Sequence, residues 1–430
     1  MPQLSSHLTW KEYTAIGLTA TTTLYTLLKL VQTIYDSNNS SSTTTKLTKL
    51  PPPEIGVEGL LVQTIYDSNN SSSTTTTKLT KLPPPEIGVE GLVGNTPMIL
   101  VKSLSEITGN NVYAKLEYMN PGGSSKDRVA LAILQEKIQS GELQPHEPKS
   151  KIYEGTSGST GISIATIANS LGIKSEIHLP DDTSPDKLIL FNTLGAGLVK
   201  VKPASIVDPN QYVNSAKAAS VATEGVFADQ FENETNWKIH YTTTGPEIYQ
   251  QLNGQVDFFI AGCGTGGTIS GVSKYLKEKI GDSFTSILAD PQGSGFYNRV
   301  KFGVMYTNEE KEGSRRRHQV DTIIEGIGLN RITKNFSAGE EYIDDSVKVY
   351  DEEAIKMAKF LCVQDGLFVG SSSCVNSVAL LKLCRDNPQI KGKNFVLAYC
   401  DSGSRHLNKF WKEALNVHDD VTVEEILNNK

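Results

Sequence analysis

From residue 93 onward the chain alternates short β-rich runs with helix-patterned segments, and that alternation is the strongest constraint on its fold. Residues 112–116 read as a strand, and a helix starts at about Lys126. A strand at 152–153 precedes a helix at 161–171; a strand at 176–179 precedes a helix at 185–194. Phe227-Ala228 closes this first set. A second set opens with the apolar run 256–261, a glycine turn and a helix over 268–280, with further strands at 286–289 and 395–398. Helices inserted between strands imply crossover connections and parallel pairing. The expected class is α/β, with mostly parallel sheets covered by helices. Ligands bind such sheets at the carboxyl ends of the strands, so the loops leaving those ends carry the functional information.

Four loops are informative. Gly262-Cys263-Gly264-Thr265-Gly266-Gly267-Thr268 follows an apolar run and opens a helix. Glycines let the backbone approach an anion, and the amides at a helix start bind phosphate. No lysine stands where a P-loop needs one, which disfavours a nucleoside triphosphate. Asn120-Pro121-Gly122-Gly123-Ser124-Ser125-Lys126 places a lysine in the first turn of a helix. The macrodipole disfavours a cation there, so the position asks for a reason, and a nucleophilic amine is one. A solvated surface lysine is the alternative. Thr156-Ser157-Gly158-Ser159-Thr160-Gly161 gathers hydroxyls and amides that suit a carboxylate, or merely cap a helix. Gly370-Ser371-Ser372-Ser373-Cys374 also precedes a helical run and serves equally as a cap.

The formal net charge of −7 over 430 residues does not suggest a nucleic-acid binder, a class that shows a strongly basic face. Five cysteines, none at C-x-x-C spacing, support neither a disulfide framework nor a zinc site; no metal is expected. Residues 1–36 include a mostly apolar stretch of membrane-spanning length, interrupted by Lys29. The first arginine of the chain is Arg128, unlike an Arg-rich cleaved presequence, so an uncleaved membrane anchor is expected over 1–36. Residues 31–60 are repeated at 62–92 with one extra threonine. Their Ser/Thr/Asn runs and triple prolines cannot build a core, so 37–92 read as a linker. The run Arg315-Arg316-Arg317-His318 reads as a solvated loop.

Taken in order, the lysine, hydroxyl, glycine and serine loops resemble the cysteine synthase and cystathionine β-synthase family of fold-type II pyridoxal-phosphate enzymes. Leu92-Val93-Gly94-Asn95-Thr96-Pro97, Gln230-Phe231, Thr243-Thr244-Gly245-Pro246-Glu247-Ile248, Asp290-Pro291-Gln292-Gly293-Ser294 and Glu325-Gly326-Ile327-Gly328 add to the likeness. The resemblance implies two αβα domains: a large one from 93–119 and 233–430, and a smaller substrate-side one over 120–232. It implies pyridoxal 5′-phosphate held as a Schiff base on Lys126, which also acts as the base at the substrate's α-carbon. Gly264, Thr265, Gly266, Gly267 and Thr268 match the phosphate cup. Ser372 matches the partner of the pyridine nitrogen; a neutral hydroxyl makes the ring a weaker electron sink and favours β-elimination over transamination. Thr156, Ser157, Thr160 and Gln230 match the substrate-carboxylate site.

Ser159 stands where the family has an asparagine that touches cofactor and substrate, so a contact there is expected to be lost or bridged by water. Glu234 replaces a customary proline. The implied reaction is β-replacement on O-acetylserine by sulfide, giving cysteine. Cystathionine formation from serine and homocysteine, or β-elimination alone, uses the same machinery. A weakly active membrane-tethered scaffold or sensor is the reading of another class. The chain stops at Lys430, without a regulatory module, on the cysteine synthase side of the family. The anchor adds a likeness to the fungal mitochondrial cysteine synthase 2 group: an outer-membrane, single-pass homodimer.

Overall fold

The computed structural model describes residues 86–156, 158–307 and 322–428. The chain divides after Leu82, and the unit 83–430 is the one described. The expected anchor, all of the linker up to residue 85, Ser157 and the basic run at 315–318 lie outside the described residues. The end of the stretch read as linker is already folded: Val89–Leu92 forms a 3-10 turn, and Glu90 accepts from the Ser170 hydroxyl.

Among the described residues, ten strands make two sheets. The larger has the order β1-β2-β10-β7-β8-β9, with β1 Met98–Leu100, β2 Asn111–Leu116, β7 Phe258–Gly262, β8 Thr285–Pro291, β9 Asp345–Val349 and β10 Asn394–Tyr399. The smaller has the order β5-β4-β3-β6, with β3 Lys151–Gly155, β4 Lys174–Pro180, β5 Gly197–Val201 and β6 Val226–Phe227. Every pairing is parallel except β1 with β2. Eight helices matter below: α1 Lys126–Gln139, α2 Ser159–Ser170, α3 Pro185–Thr193, α4 Tyr212–Ala222, α5 Gly245–Gln251, α6 Gly267–Ile280, α7 Asp351–Asp365 and α8 Ser371–Asp386.

The large sheet is apolar on both faces, as covered parallel strands must be. Along β10, Phe395, Leu397 and Tyr399 join one core with Val375, Val378 and Leu361 of α8 and α7. Val396 and Ala398, pointing the other way, join a second core with Ile269, Val272 and Leu276 of α6. The period of two along the strand sets this division. A third core surrounds the small sheet, where Ile152 and Ile177 meet Val129, Ile133 and Ile164 from α1 and α2. The fold is that of the α/β class read from the sequence, and its loops converge at the carboxyl ends of β2, β3, β7 and β10. All five cysteines are free thiols.

Candidate active site

Those loops enclose a cavity of about 510 Å³. Lys126 is the first residue of α1 and lines it. The residues around it are fixed in three directions. The Lys126 amide donates to Ser124 Oγ at 3.1 Å, and Ser124 donates onward to Asp401 at 2.5 Å. Asp127 accepts from the Gly122 amide at 2.6 Å and from Ser163 of α2 at 2.5 Å. Arg128 is buried and reaches Glu117 at 2.7 Å and Glu247 of α5 at 2.6 Å. Among the described residues, no group accepts from the Nζ of Lys126 itself.

On the hydroxyl loop, Thr156, Ser159 and Thr160 line the cavity, as does Gln230 after β6. Thr160 donates to Gln230 Oε1 at 2.5 Å, and Ser159 donates to Asp401 Oδ2 at 2.5 Å. The Ser159 hydroxyl is therefore spent on a protein carboxylate. Asp229, just before Gln230, has φ +55. A non-glycine residue held in the left-handed region is strained, and such strain collects at functional sites.

Gly264, Thr265, Gly266 and Thr268 also line the cavity. Gly267 lies behind them, where a Cβ would collide with Asn236 Oδ1; Gly264 is equally closed by the Gly326 carbonyl. Gly266 caps α6 at φ +91. Among the described residues the amides of Gly264, Thr265 and Gly266 donate to no protein acceptor. Thr265 accepts from Asn236 at 2.9 Å, and Thr268 lies 3.2 Å from the buried imidazole of His240. Unspent amides at the start of a 14-residue helix form an anion cradle. In the first turn of α8, Ser371 Oγ accepts from the Glu325 amide, whereas the Ser372 hydroxyl lines the cavity with no protein partner among the described residues.

Every sequence-predicted residue that is described thus meets at one cavity, Gly267 from behind its wall. Asp401, Arg405, His406 and Glu325 were not singled out by role. His406 lies 3.2 Å from Glu325 and 3.5 Å from Asp401; Lys187 of α3 reaches Glu325 at 3.0 Å. Burial pushes the Asp401 pKa up, but His406 and Arg405 hold it well below the carboxylate range. The signal for this cluster was present: Asp401 leaves the carboxyl end of a parallel strand, as the other loops do.

The profile of the family described as "Pyridoxal-phosphate dependent enzyme" matches residues 89–401. The chain is 60% identical over 343 residues to a Saccharomyces cerevisiae protein named "Putative mitochondrial cysteine synthase", covering 78% of this chain and 86% of that one. It is 50% identical to cysteine synthase 2 of Emericella nidulans, covering 79% and 83%. Among solved structures, the O-acetylserine dependent cystathionine beta-synthase of Helicobacter pylori is similar, with a TM-score of 0.64 and 29% identity over 76% of this chain and 99% of that one.

Proposed function

The chain belongs to the pyridoxal-phosphate dependent enzymes, in their cysteine synthase branch, and we propose that it replaces the acetoxy group of O-acetyl-L-serine with sulfide to give L-cysteine. One observation carries this reading: a lysine amine and glycine-turn amides, all without a protein partner among the described residues, line one cavity. The residues fit pyridoxal phosphate. Gly264 to Thr268 would hold its phosphate, Lys126 Nζ its aldehyde carbon and the free Ser372 hydroxyl its ring nitrogen, with Ser159 alongside. When bound, the cofactor supplies an electron sink that makes the α-proton removable and the β-substituent a leaving group.

The chain's own groups do the rest. Thr156, Thr160 and Gln230, with Ser157, hold the substrate carboxylate and so fix which α-hydrogen faces Lys126. The Lys126 amine takes that proton from the α-carbon and returns it after sulfide has added at the β-carbon. The first turn of α1 cannot drift, because Asp127 and Arg128 are each bonded to other elements. The test is the visible spectrum of purified protein titrated with O-acetylserine, followed by borohydride reduction and peptide mass analysis. The expected results are a coloured protein, a spectral change with substrate and a pyridoxyl adduct on Lys126. Coloured protein that forms no cysteine from O-acetylserine and sulfide, yet forms cystathionine from serine and homocysteine, overturns the assigned reaction.

The name of the Saccharomyces relative supports a mitochondrial location. Among the described residues no helix is long and apolar enough to cross a membrane. The outer-membrane anchor therefore rests on residues 1–36 alone, and alkaline carbonate extraction of mitochondria decides it. Release of the whole chain into the supernatant excludes a span. A homodimer is proposed from the family, with the mass of the holoenzyme by light scattering as its check.

A further inference from the structure

Glu154, on β3, is fully buried and has no cationic partner among the described residues. Its carboxyl accepts from the Gln230 amide at 3.3 Å and from Gln230 Nε2 at 3.2 Å. The other end of the same side chain, Oε1, accepts the Thr160 hydroxyl. Three groups thus form a chain from the sheet interior to the cavity wall.

That chain has a consequence for any carboxylate bound at the hydroxyl loop. Thr160 has one hydroxyl hydrogen, and Gln230 Oε1 takes it. A carboxylate needs a donor, so in this arrangement Thr160 cannot serve it. Turning the Gln230 amide over exchanges its oxygen and nitrogen. Nε2 then donates to Thr160, whose hydrogen is freed for the ligand. Oε1 now meets Glu154, and two acceptor oxygens abut unless Glu154 carries a proton.

We propose that Glu154 is a positioning residue whose proton sets the orientation of the Gln230 amide, so that a carboxylate ligand is bound by the protonated form with uptake of one proton from solvent. The inference rests on the reading of Thr160 and Gln230 as the carboxylate site. Burial raises Glu154 to about 8, and neighbouring Asp229 adds to the rise, within reach of ordinary conditions. Burial raises the neighbouring Asp229 as well, so the Glu154→Gln arm below is what assigns the proton. Asp229 is itself faced by Lys217 and Arg331; on β4, Ile177 pairs with Glu154, and the next residue, His178, bonds Ser215 and Glu176.

The experiment is calorimetric titration of the holoenzyme with propionate, a carboxylate that lacks an amine. It runs from pH 6.5 to 9.5 in buffers of differing ionisation enthalpy. For the native chain, Kd rises about tenfold between pH 7 and pH 9, and uptake approaches one proton above pH 8. Glu154→Gln mimics the protonated acid, since its amide can donate to Oε1. It keeps the low-pH Kd throughout and takes up no proton. A flat native profile, or a slope that survives in Glu154→Gln, overturns the proposal. If that variant fails to fold, native proton uptake decides alone, and none at pH 8.5 is fatal. Because propionate is read without turnover, the assigned reaction can fail while this switch stands, and the reverse.

Discussion

Ser159 Oγ donates to Asp401 Oδ2 at 2.5 Å, and Asp401 Oδ1 receives Ser124 from the lysine loop at the same distance. One buried carboxylate therefore ties the loop before α1 to the first residue of α2. Losing a hydrogen bond to a buried charge costs about 1.5–3 kcal/mol. Ser159→Ala is expected to lower stability within that range and to reduce kcat/KM modestly. Asp401→Ala strips both serines of their acceptor, so it lowers both quantities further. Urea unfolding with steady-state kinetics on O-acetylserine measures both. Equal effects of the two substitutions would show that Asp401 does not join the lysine loop to α2.

Arg128 divides its guanidinium between Glu117 and Glu247, and Lys115 also reaches Glu247 at 2.7 Å. Removing one partner of a buried ion pair costs about 3–5 kcal/mol, because the remaining charge is stranded. Arg128→Met leaves Glu117 buried beside Lys115 alone. The expected outcome is a stability loss of that size and weaker retention of cofactor, since α1 carries Lys126. Adding Glu117→Gln should restore part of the stability. A denaturation midpoint unchanged in Arg128→Met would show the network to be energetically idle.

The strands legible in the sequence were those whose burial makes apolar runs, such as β7 and β10. The three that were not, β1, β5 and β9, are all sheet edges. β5 and β9 each place a lysine between valines, Lys200 and Lys348, so neither forms an apolar run. The lysine, glycine and hydroxyl loops were legible because glycine and hydroxyl residues cluster where a backbone must meet a ligand. For the cluster of Asp401, His406, Glu325 and Lys187 only the position of Asp401 after a strand was legible, because its members come from three separate stretches. Such a partnership exists only after folding. The same holds for Glu154, whose burial next to Gln230 depends on β6 pairing with β3.

That cluster gives stability a pH window. Burial lowers the His406 pKa, but Asp401 and Glu325 outweigh it and the net shift is upward from 6.5. Its contribution is full below 6.5 and is lost as pH rises through the raised folded value. Burial raises Glu325, but His406 and Lys187 outweigh it and hold the group at about 2, down from 4.5. Its contribution is full above 4.5 and is lost as pH falls toward 2. The pair of effects is therefore complete between those ordinary values. Urea midpoints are expected to decline on the alkaline side of that window in the native chain and less so in His406→Asn. An alkaline limb that is unchanged in His406→Asn would assign it to another group.

Gly266 must be glycine for two independent reasons. Its φ of +91 is costly for any residue with a Cβ, and an added Cβ would lie 2.6 Å from the Phe336 amide nitrogen. The left-handed conformation alone costs an alanine about 1–2 kcal/mol. Relief of the contact would swing the turn away from the cavity, carrying the unspent amides with it. Gly281, at the far end of α6, has φ +80 and open space around it. Gly281→Ala thus carries backbone strain without displacing the cradle. Both variants are expected to lose stability. Only Gly266→Ala should lose affinity for pyridoxal phosphate, by tenfold or more on the scale of about 1.4 kcal/mol per decade. Fluorescence titration of each apoprotein with the cofactor separates the two. Equal affinity in both variants would remove the glycine turn from the anion site.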